Sequence, residues 1–90
     1  MEAIKLIIQG RVQGVYFRKF VETEALKLNL KGYVKNNPNG DVIVVAQGEK
    51  NKLYELKIKC FKGPTSAKVE GVLEIDIKPS KEFKTFSISY

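Results

Sequence analysis

The sequence predicts an α+β sandwich of the split βαβ, ferredoxin-like kind: an antiparallel sheet with two helices on one face and a short terminal strand. Three observations predict it. Apolar residues switch between the alternation of a strand and the spacing of a helix, in the order strand, helix, strand, strand, helix, strand. The second and third strands are separated only by Asn37-Pro38-Asn39-Gly40. In that run Pro fixes one φ and Asn-Gly supplies positive φ, so the two strands form a hairpin. Finally, 90 residues suffice for one core and not for two, so residues 1–90 read as one domain.

Taken in order, Ile4, Leu6 and Ile8 share one face of a strand over residues 3–9, with Lys5, Ile7 and Gln9 on the other, and Gly10 closes it. After a glycine loop, Phe17, Phe20, Val21, Ala25 and Leu28 fall on one helical stripe, while Lys19, Glu22, Thr23 and Lys27 take the wet side. Lys31-Gly32 is expected to end this helix, and residues 32–36 read as a short strand. A β-branched central strand follows over residues 41–47 and stops at Gly48. Residues 49–62 form the second helix, with Leu53, Leu56 and Cys60 on its core face, until Gly63-Pro64 breaks it. Leu73, Ile75 and Ile77 alternate with Glu74, Asp76 and Lys78 in a long strand spanning residues 67–78. Phe86, Ile88 and Tyr90 alternate with Ser87 and Ser89 in a closing one.

Composition removes whole classes of function. There is no His, the commonest general acid–base group and metal ligand. With a single Cys there is neither a disulfide framework nor a zinc-type site, and the lone thiol fits a reducing, cytoplasmic setting. Cys60, at a helical core spacing, reads as a small buried hydrophobe rather than a nucleophile. No apolar run approaches the roughly 20 residues of a membrane span, and no cleavable signal pattern opens the chain. The net charge of +6 comes from lysines scattered between Lys5 and Lys84, a solvated surface rather than a nucleic-acid patch.

Against that lysine background the chain has only two arginines, Arg11 and Arg18, and both lie in Gly10-Arg11-Val12-Gln13-Gly14-Val15-Tyr16-Phe17-Arg18. Arginine offers a rigid fork of donors suited to phosphate or carboxylate, which lysine does not. The stretch leads from a strand into a helix N-terminus, where backbone N–H groups can curl into an anion-binding nest. Val12 and Val15 bring no polar side chain, so the backbone must do the binding. Arg18, in the first helical turn, opposes the helix dipole unless an anion is bound beside it. The ligand this implies is phosphate or another small oxyanion. The stretch is not a nucleotide P-loop: it lacks the Gly-Lys-Ser/Thr ending, and Asp41 alone would be a weak metal site.

The predicted topology brings a second residue to the loop. In a split βαβ unit the first two strands run in the same direction with the third between them. Their C-terminal ends therefore share one end of the sheet, and Asn36 meets the loop there. The loop carries no Cys, Ser or His to form a covalent intermediate, so water must attack, held by a neutral polar group such as Asn36. No general acid is present for the leaving group, which must depart unaided as a stable anion. A carboxylate does so and an alkoxide does not, which points to carboxylic-phosphoric anhydrides.

The stretch from Gly10 to Arg18 resembles the phosphate-loop signature of the acylphosphatase family, G-x-V-Q-G-V-x-F-R. Gly32-Tyr33-Val34-Lys35-Asn36, with Gly40, Val42 and Gly48, resembles the second signature, and the likeness runs to the closing Phe86-Ser87-Ile88-Ser89-Tyr90. The resemblance implies a monomeric cytoplasmic enzyme that hydrolyses acyl phosphates to a carboxylate and phosphate. It implies no metal, no cofactor, and no nucleic-acid or membrane partner. The family's substrate-binding arginine falls on Arg18 and its water-orienting asparagine on Asn36. Its phosphate cradle falls on the backbone of Gln13, Gly14, Val15, Tyr16 and Phe17. Position 16 varies in relatives, so Tyr16 shapes the mouth of the site, and Asn37 replaces a hydroxyl residue common after the asparagine. The same domain occurs within larger carbamoyl-transfer maturation proteins. Two other readings share part of this pattern. An RNA-recognition module has the same element order, but its first and third strands carry aromatics that this chain lacks there. A small-anion sensor would keep the cradle and have no need of Asn36.

Overall fold

The computed structural model describes residues 1–90. Five strands and two helices follow in the order β1 (Glu2–Arg11), α1 (Phe17–Lys27), β2 (Lys31–Asn36), β3 (Val42–Gly48), α2 (Lys50–Lys62), β4 (Lys68–Ile77) and β5 (Phe86–Ile88). The sheet order is β4-β1-β3-β2-β5. The four longer strands pair antiparallel with one another, as the sequence predicts. The sheet as a whole is nonetheless mixed, because β5 joins the outer edge of β2 in parallel. The segment after β4, held to the Gln47 side chain at Ser80, takes the chain from one edge of the sheet to the other, where β5 runs in the direction of β2. No helix is long and apolar enough to cross a membrane.

The core follows from the alternation. Ile4, Leu6 and Ile8 face Val21 and Ala25 of α1 and Leu53, Leu56 and Cys60 of α2 in one buried cluster. Val34, Val42, Val44, Ala46 and Phe86 extend that cluster across the sheet. Burial at β-branched positions stabilises both the pleat and the packing. The apolar alternation of β4 faces the other way. Leu73 and Ile75 are 54% and 45% exposed on the open side of this edge strand. Glu74 lies on the helix side, where it pairs with Lys57 of α2 at 2.8 Å.

Two glycines act differently from their reading in sequence. Gly10 does not close β1. The strand runs through it to Arg11, with a bulge against β4 between Gln9 and Gly10. A side chain at Gly10 (φ 127°) would run into the carbonyl oxygen of Lys68. Gly32 does not end the first helix. The helix stops at Lys27, and the left-handed residue beyond it is Asn29 (φ 57°). Asparagine tolerates that conformation through its short polar side chain. Gly32 lies inside β2 at φ 138°, where a Cβ would strike the Val45 carbonyl oxygen.

Gly32→Ala is therefore expected to destabilise the fold by about 2 kcal/mol or more in urea unfolding, since both the φ and the contact are incompatible with a side chain. A loss below about 0.5 kcal/mol would contradict the close approach of β2 to β3. Cys60 gives a second prediction. Burial pushes its thiol from 9.0 up to about 12. Above pH 9 the thiol ionises in the unfolded chain but stays protonated in the folded one, so its contribution to stability falls as pH rises from 9 towards 12. Cys60→Ala should flatten the alkaline decline in stability, measured by denaturant unfolding from neutral to high pH.

Candidate active site

The loop between β1 and α1 is shaped by alternating burial. Val12, Val15 and Phe17 are buried in the core, while Gly14 and Tyr16 face out. The apolar residues pin the loop down from beneath and leave its backbone at the surface. Gly14 (φ 72°) and Tyr16 (φ 62°) both take positive φ. For Gly14 this carries no steric cost. For tyrosine it is strained, by an amount on the order of 1–3 kcal/mol. Strain of this kind persists only where the surroundings enforce it, and here Tyr16 is held at the N-cap between buried Val15 and buried Phe17. Positive φ at alternate positions turns successive N–H groups towards one side, which makes an anion-binding concavity.

The start of α1 adds to that concavity. Tyr16 contributes no side-chain cap, and the first turn has no acidic residue. The first intrahelical bond recorded there runs from Phe20 N–H to the Tyr16 carbonyl at 3.0 Å. N–H groups ahead of Phe20 therefore lack a helical acceptor and point out of the helix end. Arg18 sits in this turn. Its guanidinium forms no ion pair and no hydrogen bond with the rest of the chain. Its one close partner is the ring of Tyr90, with Cζ 5.1 Å from the ring centroid.

Asn36 arrives from the other side of β3. Both β1 and β2 pair antiparallel with β3, so their C-terminal ends lie together. Asn36 is the last residue of β2, on the same face as Val34 and therefore on the helix side of the sheet. Its Oδ1 is buried with no hydrogen-bond partner. An orphaned buried acceptor costs stability, commonly about 1–3 kcal/mol. The neighbouring turn is satisfied without it. Asn37 Nδ2 donates to Asn39 Oδ1 at 2.8 Å, and Asn39 Nδ2 donates to Asp41 Oδ2 at 3.1 Å.

Arg18 and Asn36 line the same cavity of about 390 Å³, together with Val12, Gly14, Tyr16 and Phe17. No His, Cys, Asp, Glu or Ser lines it. The sequence-predicted residues thus divide. Gly14, Tyr16, Phe17, Arg18 and Asn36 form the walls, whereas Gln13 and Val15 hold those walls in place. Gln13 Nε2 donates to the carbonyl oxygens of Asn37 (2.7 Å) and Asp41 (2.9 Å), clipping the loop to the turn after Asn36. Ser66 Oγ donates to the Val15 carbonyl at 3.1 Å from the other flank. Arg11 stands apart at the end of β1, exposed and paired in register with Lys68.

Three lining residues have no counterpart in the sequence reading of the site: Lys19, Ile88 and Tyr90. Lys19 is paired with Glu22 at 3.0 Å on the helix surface. Ile88 and Tyr90 come from the terminal segment, which reaches the site only because β5 adds beside β2. The parallel pairing that carries them there leaves no local signal in the sequence.

The double bond from Gln13 predicts a graded response. Gln13→Ala should lower stability by about 1–3 kcal/mol, the sum of two ordinary hydrogen bonds. Gln13→Glu should be worse at neutral pH, because a carboxylate would face two carbonyl oxygens. The gap between the two variants should narrow below about pH 4, where a glutamic acid carries its proton. Thermal unfolding across that range reads both effects.

Comparison with known proteins gives one consistent result. A model of the acylphosphatase family matches residues 4–88. The chain is 42% identical over 86 residues to an acylphosphatase of Pasteurella multocida (strain Pm70), covering 96% of each. It superposes on the crystal structure of acylphosphatase from Bacillus subtilis with a TM-score of 0.95 and 37% identity, covering all of both chains. It also matches a stretch amounting to 12% of full-length HypF in the phosphate- and nucleotide-bound form, with a TM-score of 0.88 and 34% identity.

Proposed function

Because the chain belongs to the acylphosphatase family, we propose that the cavity between the Gly10–Phe17 loop and Asn36 is where it hydrolyses an acyl phosphate, by direct attack of water. The observation that carries this reading is the buried, unpartnered Oδ1 of Asn36, which shares a cavity with an arginine that has no anionic partner. An acceptor left unpaired at that depth is suited to a water molecule, which donates one hydrogen bond to it and keeps its lone pairs free.

In this reading the phosphoryl group sits on the backbone N–H groups of residues 13–17, and the guanidinium of Arg18 binds its equatorial oxygens. Asn36 holds the attacking water. The bond from the water oxygen to phosphorus forms as the bond from phosphorus to the acyl oxygen breaks, and the electron pair leaves on the carboxylate. One proton of the water passes to a phosphate oxygen. No residue has to act as general acid, because the carboxylate departs as a stable anion. Catalysis rests on positioning and on charge stabilisation by donors already in place. The helix N-terminus and Arg18 act in the same direction, since the anion offsets the unfavourable placement of a cation at that end.

The same reading takes residues 1–90 as one domain that acts as a monomer in the cytoplasm on a small-molecule substrate. It needs no cofactor and no nucleic-acid or membrane partner. Its support is the single thiol, the scattered lysines, and the lack of any group of three or more His, Cys, Asp or Glu side chains placed to hold a metal. The small-anion sensor is the weaker reading because it leaves the orphaned Asn36 acceptor without a purpose.

Benzoyl phosphate hydrolysis in the presence of a chelator tests the assignment. Arg18→Gln should lose both turnover and inhibition by inorganic phosphate. Asn36→Ala should lose turnover by roughly 10²–10³-fold, the usual cost of one transition-state contact, while phosphate still inhibits. Full activity in Asn36→Ala would reject the water-holding role, and activity that disappears with the chelator would reject the metal-free route.

A further inference from the structure

The segment between β4 and β5 lies on the face of the sheet that carries no helix. Ala46 and Val34 face the helices, so their neighbours Gln47 and Tyr33 point the other way, and both hold this segment. Gln47 Nε2 donates to the Ser80 carbonyl at 2.7 Å, and the Ser80 N–H donates back to Gln47 Oε1 at 2.8 Å. Gln47 is the one buried polar residue of the chain, and a buried amide with donor and acceptor both used fixes the path of what it holds. Five residues on, the Gly32 N–H donates to the Thr85 carbonyl at 3.0 Å. Between these anchors the ring of Phe83 packs against Tyr33, with centroids 5.9 Å apart.

Held in this way, the segment borders two cavities of about 450 Å³ each, which meet at Phe83 and Lys84. Their chemistry differs. One is lined by Lys31, Lys81 and Lys84 and by no carboxylate. The other is lined by the Tyr33 and Phe83 rings, by Lys35 and by the Ser87 hydroxyl, and Glu82 is its single carboxylate. No residue of either cavity lines the catalytic one. The lysines here are also placed unlike those elsewhere. Every ion pair of the chain uses a lysine of α1 or α2. Lys31, Lys81 and Lys84 have no acidic partner, although they surround one hollow. Three like charges around a concavity repel one another, and an anion between them reverses that repulsion.

We propose that the two cavities form a second ligand site, for a nucleoside polyphosphate: its phosphates lie among Lys31, Lys81 and Lys84, and its base lies against Phe83 and Tyr33. Lysine binds phosphate as a point charge with freely turning donors, so three of them suit a chain of phosphates better than one small oxyanion. An aromatic pair beside that hollow suits the flat face of a base, because every base offers a π-surface. Glu82 and Ser87 supply acceptors for ribose hydroxyls or a base amine, and Glu82 stays out of the lysine cavity, where it would repel phosphate. The proposal goes beyond the hydrolytic reading and stands apart from it, since the two sites share no residue.

Isothermal titration calorimetry of the full chain with ATP, at low salt and with a chelator, tests it. ATP should bind with a stoichiometry of one, and Arg18→Gln should leave its affinity unchanged. Lys81→Gln combined with Lys84→Gln should weaken it about tenfold, the scale of two exposed charge pairs. Lys50→Gln combined with Lys62→Gln makes the same change of charge on α2 and should weaken it less than about twofold. ATP should bind about fivefold more tightly than tripolyphosphate, which carries no less charge, and Phe83→Leu should abolish that preference. Equal weakening by the two lysine pairs would overturn the proposal in favour of diffuse attraction to a basic surface. Loss of binding in Arg18→Gln would place ATP in the catalytic cavity and overturn it too. Tripolyphosphate bound as tightly as ATP would reject the nucleoside, and no saturable binding to the unmodified chain would reject the site. Should Phe83→Leu disturb the segment, seen as a lowered thermal midpoint, the lysine pairs still decide. Failure of benzoyl phosphate turnover would leave these titrations untouched, so the two readings fall separately.

Discussion

The candidate site depends on β3 lying between β1 and β2. A strand paired antiparallel on both edges forces its two neighbours to run the same way and to end at the same end of the sheet. That constraint brings a glycine loop at residue 10 and an asparagine at residue 36 to one place without any local sequence contact between them. The hydrophobic effect maintains it. Val42, Val44 and Ala46 of β3 are buried against the helices, and a one-residue slip would turn each of them away from the helices and bring Gln47 to the core face. Gln13 then removes the remaining play. Its amide spans from the loop to the two carbonyls flanking the turn, and both donors are used. Core packing sets the approach of the two halves, and this one side chain fixes their final separation.

Electrostatics at the site follows from what has been withheld as much as from what has been placed. Glu24, Glu22 and Glu74 are each engaged by a lysine on helix surfaces or the sheet edge. None lies in the cavity. Arg18 has an aromatic partner and no acidic one. An ion pair there would occupy the fork of donors that an anionic ligand needs. A ring leaves it unoccupied while still restricting its motion, so less ordering remains to be done when a ligand binds. The helix N-terminus is likewise left without an acidic cap.

Much of this was legible in the sequence, for a physical reason. Period and punctuation located every element, because burial on one face imposes alternation and turns impose Gly, Pro and Asn. That the Gly10–Phe17 loop and Asn36 line one cavity was legible too, since it follows from strand direction alone. What could not be read were features set by tertiary approach. Gly32 reads both as a helix stop and as the start of a strand, and only the nearness of Val45 shows that the strand alone requires a glycine there. Leu73 and Ile75 look like core until β4 is known to be an edge whose open face is solvated. Gln13 was legible as part of the loop backbone, while its side-chain reach to Asn37 and Asp41 depends on a separation that sequence does not encode. The place of Tyr90 at the site was invisible for the plainest reason: it follows a parallel strand at the far edge, which ends at Ile88, and nothing near residue 90 refers to residue 18.

The features that cost stability are concentrated where the chemistry is. Tyr16 holds a left-handed conformation unfavourable to its side chain, Asn36 buries an unpaired oxygen, and Arg18 sits at the wrong end of a helix dipole. Each is mildly unfavourable in the free protein; in the proposed reading an oxyanion offsets the charge of Arg18 and a water satisfies Asn36, while the strain at Tyr16 is the cost of shaping the loop. Summed, these penalties are on the order of a few kcal/mol, a real fraction of the 5–15 kcal/mol that stabilises a small domain. A sheet stapled by a buried cluster of 17 residues can carry that load. The left-handed tyrosine and the buried orphan acceptor lie together at this one cavity, where binding as well as folding constrains the residues. The proposed acyl phosphate gives the orphaned oxygen, the strained tyrosine and the unpaired arginine one common purpose.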